Sequence, residues 1–343
     1  MPKIKLLGKT LNELREIVAG AGLPAYTAKQ ISDWIYAKRA LSIDDMSNIS
    51  LKNRLLLSEK YEVGRTAPVH VSESADGTRK YLFSSGENHF IETVFIPEDD
   101  RATLCVSSQT GCKMNCLFCM TGKQGFQGQL DAGDIMNQIM SVDESEELTN
   151  IVFMGMGEPF DNMLNLLQSL DVLTSDYGFA WSPRRITVSS IGIIPGMKVF
   201  LEKSACHLAI SLHSPFHEER LKLMPMEQAY PLEKILYELK KHDFSKQRRV
   251  SFEYIMFDGV NDTVRHAVEL VKLLKGIHCR VNLIRFHAIP GVDLKTSNPA
   301  KMVNFRDYLT NNGVTCTIRR SRGEDIFAAC GMLSTLEKEK EKD

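Results

Sequence analysis

Apolar, strand-like runs alternate with amphipathic helical segments after about residue 100, and this alternation limits the fold more than any other feature. Six such repeats predict a parallel sheet with helical crossovers, either doubly wound or an incomplete barrel. In both folds, functional side chains gather where the strands end. The predicted strands are Leu104–Ser107, Ile151–Met154, Ile186–Ser189, His207–Ser211, Val250–Met256 and Val281–Ile284. The predicted helices span residues 131–142, 162–175, 196–203, 231–242, 262–274 and 299–312.

The composition is that of a folded protein without a strong overall charge. The 343 residues are 43% hydrophobic, which is enough for one large and one small domain, and the formal net charge is -1. Binding of nucleic acid must therefore depend on a local patch. The sequence shows neither a long apolar span nor a signal peptide, so we expect a cytoplasmic protein that makes no membrane contact. Its 8 cysteines then indicate metal binding or catalysis rather than disulfides.

Local positive charge lies at the start of the chain, where the first 65 residues hold 11 lysines and arginines against 7 acidic residues. This segment predicts three short helices, the first capped by Thr10 with Glu13 three residues later. It fits an RNA-docking module and a solvated helical cap equally well. We predict a helical domain over residues 1–66, an antiparallel β linker over 67–97, a barrel over 98–333 and a charged tail over 334–343.

Three cysteines, Cys112, Cys116 and Cys119, form a C-x3-C-x2-C motif just after the first strand of the predicted barrel. Three thiolates at this spacing can hold one face of a metal centre, but a zinc ion and a 4Fe-4S cluster both take four ligands. No fourth cysteine follows in register. Two interpretations stay open. One is a structural zinc site with a distant ligand, and the other is a cluster whose open iron position takes a small molecule such as S-adenosylmethionine (SAM).

Glycine, carboxylate and hydroxyl groups follow the next strands. Gly157 allows close backbone approach after the second strand, and the Glu158 carboxylate suits an ammonium group. Ser189 ends the third strand, and Ser211 begins the Ser211-Leu212-His213 string that ends the fourth, where hydroxyls can meet a ribose or a carboxylate. Each motif alone is weak evidence, but their shared position indicates one site.

The cysteine triplet resembles the signature of the radical SAM superfamily. The strings around residues 182–189 and 211–225, and the segment 319–331, are similar to the RlmN and Cfr family of radical rRNA methyltransferases. This resemblance implies an incomplete (β/α)6 barrel, a 4Fe-4S cluster on the three cysteines and two SAM molecules per turnover. It also implies cofactor contacts by Gly157, Glu158, Ser189, Ser211, Leu212, His213 and His287, the last standing where the family usually has asparagine.

The same resemblance assigns roles to two further cysteines and one carboxylate. Cys330 resembles the family's methyl carrier, which becomes S-methylcysteine, and Cys105 resembles the resolving thiol that forms a disulfide with it. Glu92 matches the proton acceptor, although from the sequence alone it is a strand glutamate at the surface. Cys206, Cys279 and Cys316 are expected to be structural thiols.

The implied reaction is a ping-pong methylation of C2 in adenine 2503 of 23S rRNA and adenine 37 of tRNA. Residues 319–326 resemble the RlmN ending, which favours C2 over the C8 methylation of Cfr. C8 methylation and a non-catalytic, zinc-stabilised RNA-binding protein are the alternatives. The resemblance also implies a monomer that receives electrons from a flavodoxin- or ferredoxin-like donor.

Overall fold

A ten-stranded sheet forms the centre of the molecule. The computed structural model describes residues 3–86, 88–245 and 249–335, so most of the predicted charged tail lies outside it. Seven strands are parallel and lie side by side in chain order. A doubly wound sheet would reverse its strand order, so this sequence-ordered arrangement confirms the barrel. The strands are β6 (Arg101–Cys105), β9 (Asn150–Phe153), β10 (Ile186–Ser190), β11 (His207–Ser211), β12 (Val250–Met256), β13 (Cys279–Arg285) and β14 (Thr315–Ile318).

Helices connect these parallel strands. β11 and β12 have the predicted bounds, and the other predicted strands and helices shift by only a few residues. β14 was not predicted. The crossover helices are α5 (Ala132–Met140), α6 (Met163–Thr174), α7 (Ile194–Lys203), α8 (His217–Leu223), α9 (Leu232–Leu239), α10 (Val264–Leu274) and α11 (Pro299–Asn311). Among the described residues, no helix has the length and apolar character needed to cross a membrane.

Three antiparallel strands extend the same sheet rather than forming one of their own. They are β3 (His70–Glu73), β4 (Arg79–Ser84) and β5 (Phe90–Glu98). β5 pairs with β6 across a two-residue turn, with Glu98 opposite Arg101 and Val94 opposite Cys105. The antiparallel strands therefore join the barrel through this hairpin. β3 and β14 are the two edges of the sheet, which leaves the barrel incomplete, as predicted.

The amino-terminal region is helical, as predicted. It contains β1 (Ile4–Lys5), α1 (Leu11–Gly20), α2 (Thr27–Ser32), a π-helical turn (Asp33–Ala37), α3 (Leu51–Lys60) and β2 (Tyr61–Glu62). Thr10 and Glu13 form the predicted capping box at the start of α1. β1 and β2 form a short parallel pair that joins the two ends of the region.

This region docks on the outer helices of the barrel. The backbone of Gly8 runs so close to α5 that a Cβ at Gly8 would lie 2.3 Å from the Gly133 nitrogen. Gln168 of α6 donates to the Gly8 carbonyl at 2.9 Å, and Lys5 pairs with Asp134 at 3.0 Å. Two glycines therefore permit the tight contact that fixes the helical region against the barrel.

The parallel strands curve around an internal cavity of about 590 Å³, since side chains from all seven line it. Polar side chains project inward at alternate positions, for example Ser251 and Glu253 of β12 and Arg280 and Asn282 of β13. The outward positions between them, such as Phe252, are buried under the helices. The sheet is thus covered by helices outside and encloses a polar cavity inside.

Replacing Gly8 with alanine should destabilise the protein by about 1–3 kcal/mol, because φ at Gly8 is +83° and the new Cβ would meet α5. The matched control is Gly20→Ala at the end of α1, where a Cβ would meet no atom within 4 Å. That change should be neutral or stabilising by up to about 1 kcal/mol. Unfolding in urea measures both, and equal midpoints would contradict the close docking.

Candidate active site

The cysteine motif lies in a closed loop between β7 (Gln109–Gly111) and β8 (Phe126–Gln129). Gly111 has φ +71°, and a Cβ there would lie 1.7 Å from the Gly125 carbonyl oxygen, so only glycine fits where the loop crosses itself. Cys112 N–H donates to the same carbonyl at 3.0 Å. Cys119 then begins α4 (Met120–Gln124). The loop therefore holds all three cysteines in one compact segment.

The three thiols are desolvated and lie within electrostatic range of one another. Burial and, to a smaller extent, the neighbouring Cys119 raise the pKa of Cys112 to about 12. Burial also raises the pKa of Cys116 and of Cys119. Three such thiolates repel each other in a low-dielectric site unless a cationic centre compensates their charge. Within the described ranges, no three His, Cys, Asp or Glu side chains converge closely enough to hold a single metal ion.

The Gly157-Glu158 turn packs directly against the strand that enters the cysteine loop. Gly157 has φ +96°, and a Cβ there would lie 2.5 Å from the Cβ of Gln109. Both carboxylate oxygens of Glu158 accept backbone N–H groups, from Phe160 and from Ile191, each at 3.0 Å. Burial nevertheless raises the pKa of Glu158 to about 7. The side chain braces the turn instead of projecting a free carboxylate.

His213 contacts the cysteine loop from the end of β11. Its ring meets Phe118 edge-on, with centroids 4.6 Å apart. The Nδ1 atom accepts the Ile255 N–H at 3.0 Å, which leaves the ring proton on Nε2. Burial and, to a smaller extent, the charge of Arg220 lower the pKa of His213 to about 3, so the ring is neutral at physiological pH.

Arg220 fixes the Ser211-Leu212 backbone. Its guanidinium donates to the carbonyls of Ser211 and Leu212 at 2.9 and 3.0 Å and pairs with buried Glu227. Leu212 is fully buried. Ser189 lies two residues along β10 from Thr187, which lines the cavity. Within this group, His213 contacts the cysteine loop through Phe118.

The carboxyl-terminal segment docks on the other side of that loop. Met120 N–H donates to the Gly331 carbonyl at 2.8 Å, and Thr121 Oγ1 donates to the Leu333 carbonyl at 2.7 Å. A Cβ at Gly331 would lie 3.1 Å from the Phe118 carbonyl oxygen, so the two segments nearly touch. Cys330 is thereby placed beside the residue that follows Cys119.

Cys105, Cys330 and His287 line the internal cavity together. Both cysteines of this pair are free thiols. Nδ1 of His287 lies 3.2 Å from Glu324 without hydrogen-bond geometry, and it has no other partner among the described residues. Cys206 and Cys316 are buried, Cys279 is partly buried, and none of the three lines the cavity.

Glu92 is buried, although its position in an antiparallel strand suggested a surface residue. Lys80 pairs with it at 3.0 Å, and Ser334 N–H donates to it at 2.9 Å. It lines a smaller neighbouring cavity of about 210 Å³ with Ile326 and Phe327. Glu92 therefore contacts the segment that carries Cys330 but does not line the cavity of the two thiols.

Three polar residues of the cavity were not predicted from the sequence: Glu253, Asn282 and Arg319. Glu253 and Asn282 could have been recognised in the sequence as polar residues at alternate positions of strands that are otherwise apolar. The cavity is also strongly basic. Two glutamates, Glu98 and Glu253, face seven arginines, namely Arg101, Arg184, Arg249, Arg280, Arg319, Arg320 and Arg322.

Comparison with known proteins identifies the family. Residues 4–63 match the N-terminal domain of ribosomal RNA large subunit methyltransferases, and residues 106–274 match the radical SAM superfamily. The chain is 60% identical to the probable dual-specificity RNA methyltransferase RlmN of Phocaeicola vulgatus, over 99% of this chain and 98% of that protein. It is 40% identical to the dual-specificity RNA methyltransferase RlmN of Syntrophus aciditrophicus, over 97% of each. The chain belongs to the RlmN family of radical SAM RNA methyltransferases.

A solved structure of a radical SAM methyltransferase from Sphaerobacter thermophilus matches the fold. The TM-score is 0.90 at 37% identity, over 97% of this chain and 99% of that chain. Family membership confirms the predicted enzyme class and excludes a non-catalytic zinc protein. The family implies SAM and a 4Fe-4S cluster. The three cysteines fit that cluster, because they are buried in one loop and their thiolate forms would need a cationic centre to compensate their charge.

Replacing Cys112 with alanine should lower the iron bound after anaerobic reconstitution well below about four atoms per chain, because one of three thiolate ligands is lost. Cys316→Ala is the matched control, since this buried thiol lies on β14 away from the cavity lining. Iron assay and visible absorption measure both variants. Equal iron in both, or zinc in the unmodified protein, would contradict the assignment.

Proposed function

We propose that this protein methylates C2 of adenine 2503 in 23S rRNA and of adenine 37 in tRNA, with Cys330 as the methyl carrier. The observation that carries the proposal is the position of Cys330, which is docked beside the cysteine loop and lines one cavity with Cys105. Cys112, Cys116 and Cys119 would hold the cluster. The Gly157-Glu158 turn and the Ser189, Ser211, Leu212, His213 and His287 positions would hold SAM.

The environments of the two cavity thiols support different roles for them. Burial raises the pKa of Cys105 to about 12, so Cys105 stays protonated and does not compete for the methyl group. Cys330 is only partly buried and can act as the nucleophile toward a sulfonium methyl. When bound, the cluster and SAM supply the one-electron chemistry that removes a hydrogen atom from this methyl group.

Release of the product then depends on Cys105. The Cys105 thiol gives up its proton and its sulfur bonds to the Cys330 sulfur. The bond between the Cys330 sulfur and the RNA-borne carbon breaks with the electron pair left on carbon, which takes up a proton to become the product methyl group. The charge of Arg319 opposes the rise in the pKa of Cys105, although the pKa remains raised overall. The resulting disulfide needs an external reductant before the next turnover.

Glu92 is proposed as the acceptor of the C2 proton. Lys80 and the Ser334 N–H hold its carboxylate against the segment that carries Cys330. Burial of the carboxylate keeps it out of bulk water, which suits a base that serves one bound substrate.

Several basic elements support RNA as the substrate. The cavity lining is rich in arginine, and the amino-terminal region, proposed to dock RNA over residues 1–66, carries a surplus of positive charge. The target base must leave its stack to reach the cavity. We further propose that the barrel domain spans residues 98–333 and that residues 67–97 link it to the amino-terminal region.

The proposed cycle consumes two SAM molecules, because one methylates Cys330 and the second is cleaved. Its electrons would come from a flavodoxin- or ferredoxin-like protein. A cytoplasmic monomer suits a substrate that is ribosomal or transfer RNA.

Analysis of modified nucleosides tests the function. RNA containing the target adenine, incubated with reconstituted protein, SAM and a reductant, should yield 2-methyladenosine. Cys330→Ala should yield none, because no residue then carries the methyl group. Formation of 8-methyladenosine, or product from Cys330→Ala, would overturn the proposal.

A further inference from the structure

Glu253 has a buried oxygen without a partner inside the catalytic cavity. The residue is 3% exposed and lies in the middle of β12. Its Oε1 accepts from Ser251 Oγ at 3.0 Å and from Asn282 Nδ2 at 2.8 Å. Its Oε2 is buried and accepts no hydrogen bond within the described parts of the chain. A buried acceptor without a hydrogen bond is unfavourable, so its place in the cavity lining indicates a ligand with a donor group.

Neighbouring strands hold the Glu253 carboxylate in place. Glu253, Asn282 and Thr317 lie in one register row across β12, β13 and β14. Thr317 Oγ1 donates to Asn282 Oδ1 at 2.8 Å, so the Asn282 amide is engaged on both sides and cannot turn toward Oε2. The free acceptor is therefore preorganised.

Arg319 lies beyond this row toward the two thiols. It follows Thr317 by two residues on the same face, and its N–H donates to the Leu283 carbonyl at 2.8 Å. Its side chain touches the Met154 sulfur at 3.3 Å and lines the cavity. The nearby sulfur of Cys330 raises the pKa of Arg319, and so do Glu253 and Cys105, which places the guanidinium within range of all three. Arg319 forms no direct ion pair with Glu253 in the described structure, so its donors can meet a ligand.

The chemistry of these groups complements one edge of adenine. Along the Watson–Crick edge, the 6-amino group is a donor, N1 is an acceptor, and C2 follows. In the cavity, Glu253 offers an acceptor, and Arg319, which is within electrostatic range of Glu253, Cys330 and Cys105, offers donors. C8 lies on the opposite edge of the purine.

We propose that Glu253 and Arg319 read the Watson–Crick edge of the target adenine. Oε2 of Glu253 accepts from the 6-amino group, and Arg319 donates to N1, which presents C2 to the thiols. This inference rests on the proposed function and adds base selectivity to it. Hypoxanthine has an acceptor oxygen at position 6 and a donor proton on N1, where adenine has a donor and an acceptor. The site therefore rejects hypoxanthine.

A single free oxygen suits an amino group better than a ribose diol. A carboxylate that clasps two neighbouring hydroxyls uses both of its oxygens, and Oε1 of Glu253 already accepts two hydrogen bonds. The target base is therefore the favoured occupant over the ribose of SAM.

Binding of RNA hairpins tests the proposal without relying on turnover. The probe is an anticodon stem-loop with adenine, purine or hypoxanthine at position 37, and fluorescence anisotropy measures its affinity for the cluster-loaded protein without SAM. The unmodified protein should bind adenine roughly tenfold more tightly than purine, which lacks only the amino group. Hypoxanthine should bind more weakly than purine.

Three variants test which residue produces the preference for adenine over purine. Glu253→Gln should remove the preference for adenine over purine, whereas Arg319→Lys should weaken both hairpins equally, because both contain N1. Glu98→Gln is the matched control, since Glu98 lines the same cavity but pairs with Arg101 at 2.7 Å. It should keep the preference. If Glu253→Gln does not fold, Arg319→Lys still tests whether Arg319 donates a hydrogen bond to N1.

Two outcomes overturn the inference. One is equal binding of adenine and purine by the unmodified protein, and the other is an unchanged preference in Glu253→Gln. Weaker SAM binding by Glu253→Gln with the preference intact would assign Oε2 to the cofactor instead. Any of these can occur while the protein still forms 2-methyladenosine, whereas absence of that product would refute the proposed function itself.

Discussion

The docking of the carboxyl-terminal segment on the cysteine loop is the contact on which the site depends. Two backbone carbonyls, of Gly331 and Leu333, accept hydrogen bonds from the start of α4, directly after Cys119. Gln124 of α4 and Thr335 add two further hydrogen bonds between the same segments, at 2.6 and 3.2 Å. Together these contacts hold residue 330 beside a motif that lies more than two hundred positions earlier in the chain. The absence of a side chain at Gly331 is what allows the approach.

The barrel supplies the remaining walls through the geometry of parallel strands. Successive side chains alternate between the helices and the interior, so a strand can be apolar outside and polar inside. The row of Glu253, Asn282 and Thr317 shows the result, with three neighbouring strands joined by side-chain hydrogen bonds across the inner face. A curved sheet thus holds polar groups in fixed positions along its inner face, with the Glu253 carboxylate buried among them.

The sequence was sufficient where local patterns decide the structure. β11 and β12 were predicted to the residue because their apolar runs are long and clearly bounded, and the cysteine spacing identified the loop. β14 was missed because Thr315-Cys316-Thr317-Ile318 is short and alternates in polarity. The burial of Glu92 and the bracing role of Glu158 depend on contacts with Ser334 and Ile191, which lie far away in the sequence, so no local pattern encodes them. Glu253 and Arg319 stand out only once the sheet is curved around the cavity.

Trapping of the RNA on the protein tests the central claim that Cys330 carries the methyl carbon and Cys105 resolves the intermediate. The measurement is peptide mapping by mass spectrometry of Cys105→Ala protein after reaction with RNA, SAM and reductant, with Cys316→Ala as the control. We predict a nucleotide linked through one carbon to Cys330 in Cys105→Ala, and free methylated RNA from the control. Attachment to another residue, or release of methylated RNA by Cys105→Ala, would contradict the account.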